Sequence, residues 1–180
     1  MTRTLCIATL ASLLWLTRLV AEPVLDGAGL WAADISGGNT LAIRSTETGD
    51  QVHLRPLVGR DGTAAGAAAL IAAPVRRSFL LALDSVPELW EIALFPEAGP
   101  FHEGFVHSYT TGAEESLSRE EGMFARQRIM LSRPLTGLTL HPDDRFSVLG
   151  TRADGSVVRI HLAVRLEIEL FEPGTTTGGD

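Results

Sequence analysis

The residues best suited to binding chemistry are two histidines and two arginines. His102 and His107 lie in the stretch HEGFVH, which predicts a loop or strand. Zinc-binding helices place two histidines four residues apart on one face, whereas these two are five apart, so the spacing does not predict a metal site. A surface position beside a glycine loop is the simpler interpretation of both.

The arginines are Arg126 and Arg128, in the run MFARQRIML. Alternation along a strand puts both on one face, where two guanidinium groups can hold the carboxylates of a ligand. The alternative is a solvated strand face on which they pair with the protein's own acids. The candidate partners are Glu114, Glu115, Glu120 and Glu121.

No motif in the chain requires catalysis. The adjacent acids Asp143 and Asp144 point to opposite sides of an extended chain and cannot form a catalytic pair. The sequence contains no nucleophile elbow, no phosphate-binding P-loop and no dinucleotide-binding glycine motif. Whether the protein is an enzyme stays open, and a non-catalytic role is the preferred interpretation.

The first 21 residues are typical of a secretory signal. Arg3 precedes an apolar run that is too short to span a bilayer, and Ala21 provides a small residue at the end. A buried N-terminal helix is the alternative. Cys6, the single cysteine, would leave with the signal, so the exported chain would have neither disulfides nor thiol chemistry. We expect one domain over residues 22–172 and a disordered tail over 173–180.

The net charge of −7 argues against a nucleic-acid partner, because phosphate recognition needs a basic surface. After signal cleavage we expect no stable membrane span. The 15 basic residues are all arginine, which fits the base composition of the gene better than a role in binding anions.

Three segments that share one plan must position these residues. Residues 30–43, 79–92 and 146–160 each read as an apolar strand, a turn and a second strand ending in Ile. Their turns contain SGGN, VPE and ADGS, which favour tight reversals. A blade of a β-propeller needs about 40 residues or more. We therefore predict an all-β fold, a partial β-propeller of about three to four antiparallel blades, with an open β-sandwich as the alternative.

Two further segments complete the expected elements. The run VRLEIEL predicts a half-buried strand with Leu166, Ile168 and Leu170 on one face and Glu167 and Glu169 on the other. Residues 113–123 predict a short helical turn in a solvated insertion of the second blade. Open sheet edges would recruit a protein partner or a second copy of the chain.

The segments FLLALDSVPELWEI and LTGLTLHPDDRF resemble the cytochrome d1 haem domain family, which includes the propeller of cytochrome cd1 nitrite reductase and related haem d1 biosynthesis proteins. The resemblance covers roughly residues 28–162. It implies a periplasmic, tetrapyrrole-associated propeller whose cofactor is haem d1 or a precursor. It also makes His102 or His107 a candidate iron ligand and Arg126 and Arg128 candidate partners of the tetrapyrrole acids.

The chain departs from this family at functional positions. Thr136 stands where the reductase carries its distal histidine, and no C-x-x-C-H haem attachment motif is present. The resemblance therefore implies an accessory or non-catalytic protein. Were it an enzyme, it would be an oxidoreductase of the haem d1 biosynthesis type.

Overall fold

A computed structural model describes residues 22–102 and 119–171. Within these ranges, twelve strands form three antiparallel sheets of four, and two short strands form a separate hairpin. The described residues include no α-helix and one 3-10 helix, Pro74–Arg76. The prediction of an all-β, partial propeller is confirmed. The predicted signal and tail lie outside the described residues, so the domain boundaries stay predictions.

The first sheet is blade 1, and its strands follow one another in both sequence and space. Its strands are β1 (Val24–Leu25), β2 (Trp31–Ser36), β3 (Thr40–Ser45) and β4 (Gln51–Pro56). The turn between β2 and β3 contains Gly38 at φ 82°, a backbone region that side-chain-bearing residues rarely adopt. The SGGN signal in the sequence therefore marks the correct turn.

Blade 2 contains the insertion. Its strands are β5 (Ala67–Ala73), β6 (Ser78–Leu83), β7 (Glu88–Ala93) and β10 (Arg126–Met130). Between β7 and β10 the strands β8 (Phe101–His102) and β9 (Arg119–Glu120) pair with each other. An insertion in the second blade is thus present. Most of its expected helical turn lies outside the described residues, and the part that is described forms β9 and the loop that follows it.

Blade 3 consists of β11 (Gly137–Leu140), β12 (Ser147–Thr151), β13 (Val157–His161) and β14 (Leu166–Phe171). The first strand of blade 2, β5, contacts both β1 and β11. The first strands of the three blades are therefore neighbours, and each sheet extends outward from them. The three hairpins recognised in the sequence are the two central strands of each blade.

The hydrophobic core lies between the blades and not within any one of them. We call the face of a blade that packs on the preceding blade its front face, and the opposite one its back face. The back face of blade 1, with Leu41 and Ile43, packs on the front face of blade 2, with Phe79, Leu81 and Trp90. All five are fully buried. Each such side chain stabilises the fold by roughly 1.5–3 kcal/mol.

The second interface repeats this arrangement. The back face of blade 2 contributes Leu80 and Leu89, and the front face of blade 3 contributes Val148, Val158 and Ile160. Strand alternation supplies both faces, since consecutive residues of β6 belong to opposite cores. All six residues of β6 and all six of β7 are buried.

The expectation of a half-buried β14 is wrong. Leu166, Ile168 and Leu170 are 59%, 46% and 46% exposed, because β14 is the outermost strand of blade 3. A register shift between Arg159 and Ile160 also breaks the alternation, so Glu169 lies opposite Arg159 while Glu167 lies opposite Ile160. The two glutamates therefore reach opposite faces, as expected at a β-bulge.

Replacing Gly150 by Ala should destabilise the fold by about 1–3 kcal/mol through overpacking. A Cβ atom at Gly150 would lie 2.7 Å from a methyl group of Leu135, which is buried in the second interface. Gly137→Ala is the matched control, since its Cβ would meet Thr151 at an ordinary 3.7 Å. Urea unfolding of both variants measures the difference. Equal midpoints would contradict the packing described for blade 3.

Candidate functional site

A cleft opens between the turns that join the first and second strands of blades 2 and 3. In blade 2 this turn is the 3-10 helix Pro74–Arg76, and in blade 3 it is residues 141–146, which begin with His141 and Pro142. The cleft has a volume of about 510 Å³. This volume lies within the range of about 300–1,000 Å³ that is typical of small-molecule sites.

The walls of the cleft combine exposed apolar side chains with the charged residues Arg76, Asp143, Asp144 and Arg145. Val75, Leu140 and Phe146 line it and are 65%, 46% and 37% exposed. The guanidinium carbon of Arg145 lies 4.8 Å above the Phe146 ring. Over residues 22–102 and 119–171, no carboxylate forms an ion pair with Arg145. An apolar cleft with an available cation at its edge suits a flat, apolar ligand that carries an acid.

Under the cleft, a three-residue cluster holds the turn of blade 2. Glu91 accepts two hydrogen bonds from Arg76, at 2.6 and 2.8 Å, and one from the Ser78 hydroxyl at 2.9 Å. Glu91 is only 5% exposed. The bidentate geometry fixes the Arg76 side chain, so its charge is already balanced within the protein.

In blade 3 a similar cluster of an acid, an arginine and a serine holds the turn, but the acid and the arginine have changed places. Here the acid, Asp144, is in the turn and the arginine, Arg159, is on the third strand. Asp144 accepts hydrogen bonds from the Ser147 hydroxyl at 2.6 Å and from Arg159 at 2.8 Å. The Ser147 hydroxyl first, then the Phe146 backbone N–H and Arg159, hold the pKa of Asp144 well below its usual range. Asp144 therefore stays ionised at neutral pH and keeps the turn closed.

His141 orients this turn. Its Nδ1 accepts hydrogen bonds from the backbone N–H groups of Asp143, at 3.2 Å, and Asp144, at 3.1 Å. A neutral imidazole whose Nδ1 is the acceptor carries its proton on Nε2. Both contacts use Nδ1, so Nε2 is the ring nitrogen of His141 that takes no part in holding the turn.

The two other histidines whose side chains are described also have structural partners. His161 Nδ1 accepts from the Val164 backbone N–H at 3.3 Å, and His53 Nε2 accepts from Arg55 Nε at 3.4 Å. Burial first, then the Arg55 charge, lowers the pKa of His53. Among the described residues, no group of three acidic, cysteine or histidine side chains could hold a metal ion.

Arg126 and Arg128 do share one face of a strand. Both guanidinium carbons lie over the ring of Trp90, at 4.6 and 4.9 Å from its centre. Their strand, β10, is the outermost strand of blade 2, and both side chains are about 10% exposed. The structure thus places the pair at the rim of the interface with blade 1, away from the first strands.

Both arginines bind carboxylates of the protein itself. Arg126 pairs with Glu120 at 2.7 Å, and Arg55 of blade 1 binds the same Glu120 oxygen at 2.8 Å. Arg128 pairs with Glu88 at 2.5 Å. Glu120 was among the partners expected for a solvated face, but the face is buried. Ligand binding by the two arginines stays a prediction, and a ligand acid would have to displace Glu88 or Glu120.

Sequence reasoning missed Glu88, which is 1% exposed. Besides Arg128, it accepts hydrogen bonds from Trp90 Nε1 at 2.8 Å and from the backbone N–H of Arg60 at 2.6 Å. The available signal was its position in ELWEI, two residues before Trp90 and therefore on the same buried face. A carboxylate there requires a buried partner, but the pattern does not say which one.

The predicted histidine ligands lie in the insertion. His102 belongs to β8 and is paired in register with Arg119, next to the Phe101 and Glu120 pair. Glu120 joins this hairpin to Arg126 of β10. His107 lies outside the described residues, and only the backbone position of His102 is described, so iron ligation by either stays a prediction.

Glu88→Gln should destabilise the protein by about 3 kcal/mol, because it leaves the buried Arg128 charge without its carboxylate. The matched control is Arg133→Gln, which removes a pair with Asp154 whose two side chains are 52% and 46% exposed. That change should cost less than about 1 kcal/mol. Chemical denaturation of the wild type and the two variants measures the free energy of unfolding, provided that this free energy depends on denaturant concentration with the same slope in all three proteins. Equal losses of free energy in the two variants would contradict this assignment.

His53→Gln should flatten the pH dependence of stability near neutral pH. The folded-state pKa of His53 is lowered from the ordinary 6.5, so the unfolded chain takes up the proton first. The wild type should therefore lose stability as the pH falls through 6.5 towards the folded-state pKa, and the variant should lose less. Unfolding free energies measured from pH 8 to pH 5 test this; parallel curves would show that His53 does not titrate differently on folding.

Neither a family model nor a curated protein matches this sequence. The solved structures that are similar in fold include the following two. The dihydro-heme d1 dehydrogenase NirN, solved in complex with DHE, matches with a TM-score of 0.60 and 22% identity over 82% of this chain. The β-propeller domain of Cps50 (Swd1) from Myceliophteria thermophila matches with a TM-score of 0.51 and 11% identity over 83% of this chain.

The matched regions are 27% of the first protein and 38% of the second, so this chain spans well under half of either. None of the described helices is long and apolar enough to cross a membrane. At these identities the comparisons establish a shared fold and no more: the chain has the fold of a partial β-propeller.

Proposed function

We propose that this protein is an exported, periplasmic propeller of the cytochrome d1 haem domain type that binds haem d1 or a precursor without transforming it. The observation that carries the proposal is the apolar cleft with Arg145 at its edge, on a fold similar to that of the dihydro-heme d1 dehydrogenase NirN. Export itself rests on residues 1–21, which lie outside the described residues.

The cleft offers the two kinds of contact that a tetrapyrrole needs. The macrocycle is flat and apolar, and burial against Val75, Leu140 and Phe146 would remove that surface from water. Its side-chain acids need a cation, and Arg145 can supply two parallel hydrogen bonds to one carboxylate. Arg76 lines the same cleft but is already held by Glu91, so Arg145 is the expected anchor.

A binding role fits the described side chains better than catalysis does. Thr136, at the position of the reductase's distal histidine, donates its hydroxyl to the Thr151 carbonyl at 3.2 Å. The described histidines accept N–H groups from the chain itself. An iron ligand would therefore be His102 or His107. Arg126 and Arg128 remain the second candidate site for the acids, at the cost of their present ion pairs.

Titration of the chain from Glu22 onward with haem, and separately with haem d1, tests the proposal. We expect a shifted visible absorption band, and Arg145→Gln should raise the Kd about tenfold through loss of one charge-assisted contact. Arg133→Gln, which changes another exposed arginine, outside the cleft, should leave the Kd unchanged. The absence of any spectral change at saturating concentrations of both ligands would refute tetrapyrrole binding.

A second candidate function is a protein-interaction module that pairs through an open sheet edge. It is favoured by β14, whose Leu166, Ile168 and Leu170 are exposed and whose outer side pairs with no strand in the described part of the chain. A partner strand could add there by β-augmentation. Hydrogen exchange of the backbone amides of β14 tests this candidate. Rapid exchange of every outward-facing amide, both in the isolated protein and after addition of cell extract, would count against it.

A further inference from the structure

Each covered interface in this protein joins the back face of one blade to the front face of the next. Two faces of these same kinds are left uncovered within the described residues. They are the front face of blade 1, with Asp34, Arg44 and Leu54, and the back face of blade 3, with Leu149 and Arg159. We propose that these two faces bind each other between two copies of the chain, so that two sets of three blades close into one ring.

The first argument is the repeated turn cluster. Glu91 in blade 2 and Arg159 in blade 3 occupy equivalent places, each diagonal to the serine that opens the second strand of its blade. Glu91 is 5% exposed because blade 3 covers the back face of blade 2. The Arg159 side chain is 28% exposed. The same turn cluster is therefore covered in blade 2 and exposed in blade 3. This difference indicates that the back face of blade 3 is an interface that lacks its partner.

The second argument is the apolar surface on both open faces. On the front face of blade 1, Leu25 and Leu54 are 57% and 52% exposed, opposite Ala32 and Ala42. On the back face of blade 3, Phe171 is 40% exposed and lies opposite Val157. Leucine and phenylalanine at these positions gain free energy by leaving water, at about 25 cal/mol per Å².

The third argument is charge. The Asp34–Arg44 pair on blade 1 is long, at 3.4 Å, and Arg44 is 41% exposed. The Arg159–Glu169 pair on blade 3 is also long, at 3.7 Å, and Glu169 is 48% exposed. On blade 1 both charges are thus weakly paired, whereas on blade 3 Arg159 Nη2 is held by Asp144 at 2.8 Å, so that only its Nη1 and Glu169 are weakly paired. Face to face, Asp34 can bind Arg159 and Arg44 can bind Glu169, which gives the contact electrostatic complementarity.

Symmetry makes the second copy a sufficient partner. One copy uses its front face in one contact and its back face in the other, so a two-fold axis generates two identical interfaces. Three blades from each copy give six, within the range of four to eight blades found in closed propellers. The test of the proposal is independent of ligand binding, since neither Leu54 nor Phe171 lines the cleft.

Light scattering on size-exclusion chromatography of four proteins tests the proposal. The wild type should have twice the mass of one chain. Leu54→Arg blocks the front face and Phe171→Arg blocks the back face; each variant alone should be monomeric. Met130→Arg is the control, since Met130 is a 48% exposed residue on the outermost strand of blade 2, both faces of which are covered.

Mixing the two blocked variants gives the decisive result. The Leu54→Arg copy keeps an intact back face and the Phe171→Arg copy an intact front face, so an equimolar mixture should form a dimer through one contact. Circular dichroism confirms that each variant is folded. A monomeric wild type, a mixture that stays monomeric, assembly beyond the dimer, or a Phe171→Arg variant that still dimerises would each overturn the proposal.

Discussion

Burial of both faces of the β6–β7 hairpin is the constraint on which the rest of the structure depends. An isolated two-stranded hairpin is at best marginally stable in water. This one has no polar face to leave in solvent, since all twelve residues of its two strands are buried. Blade 1 covers one side and blade 3 covers the other, so the stability of each blade is inseparable from that of its neighbours. In this respect the blades resemble the units of a repeat protein, each of which is stabilised by its contacts with its neighbours.

Ion pairs at the edges of these apolar interfaces set how the blades meet. Between blades 1 and 2, Glu120 joins Arg55 to Arg126. Arg152 of blade 3 binds Glu167 of the same blade at 3.0 Å and, at 2.8 Å, the Ser132 hydroxyl in the segment that connects blades 2 and 3. Such pairs add little net free energy, but a slipped arrangement would leave buried charges unpaired. Apolar packing drives the association of the blades, and the ion pairs favour one arrangement of it.

The cleft follows from the same design. Each turn between a first and a second strand is held by an arginine, an acid and a serine, so the two turns cannot collapse onto each other. In blade 2 the acid is Glu91, and in blade 3 it is Asp144. The space between them keeps apolar side chains exposed and leaves Arg145 as a cation without an acidic partner in the described residues. Exposed apolar surface beside such a charge is the feature that makes this region a binding site.

Local signals in the sequence were enough for the elements and for some of the roles. The three hairpins, their glycine and proline turns, the turn-orienting His141 and the common face of Arg126 and Arg128 all depend on residues close together in the chain. Period-two alternation and turn chemistry have the same physical basis in any β protein. These features could therefore be predicted without knowing how the blades pack.

Tertiary structure decided everything that depends on distant partners. Glu88 is a buried ligand of Arg128 because the pairing of β7 with β10 brings together two residues 40 positions apart. Glu167 and Glu169 separate because a bulge in the pairing of β13 with β14 shifts the register. The cleft exists because two turns, each predictable alone, are held apart by neighbouring sheets. By itself the sequence determined an all-β chain of repeated hairpins, since backbone preferences are local. The cleft and the partners of the buried charges depend on contacts between residues that are distant in the chain, which no local pattern encodes.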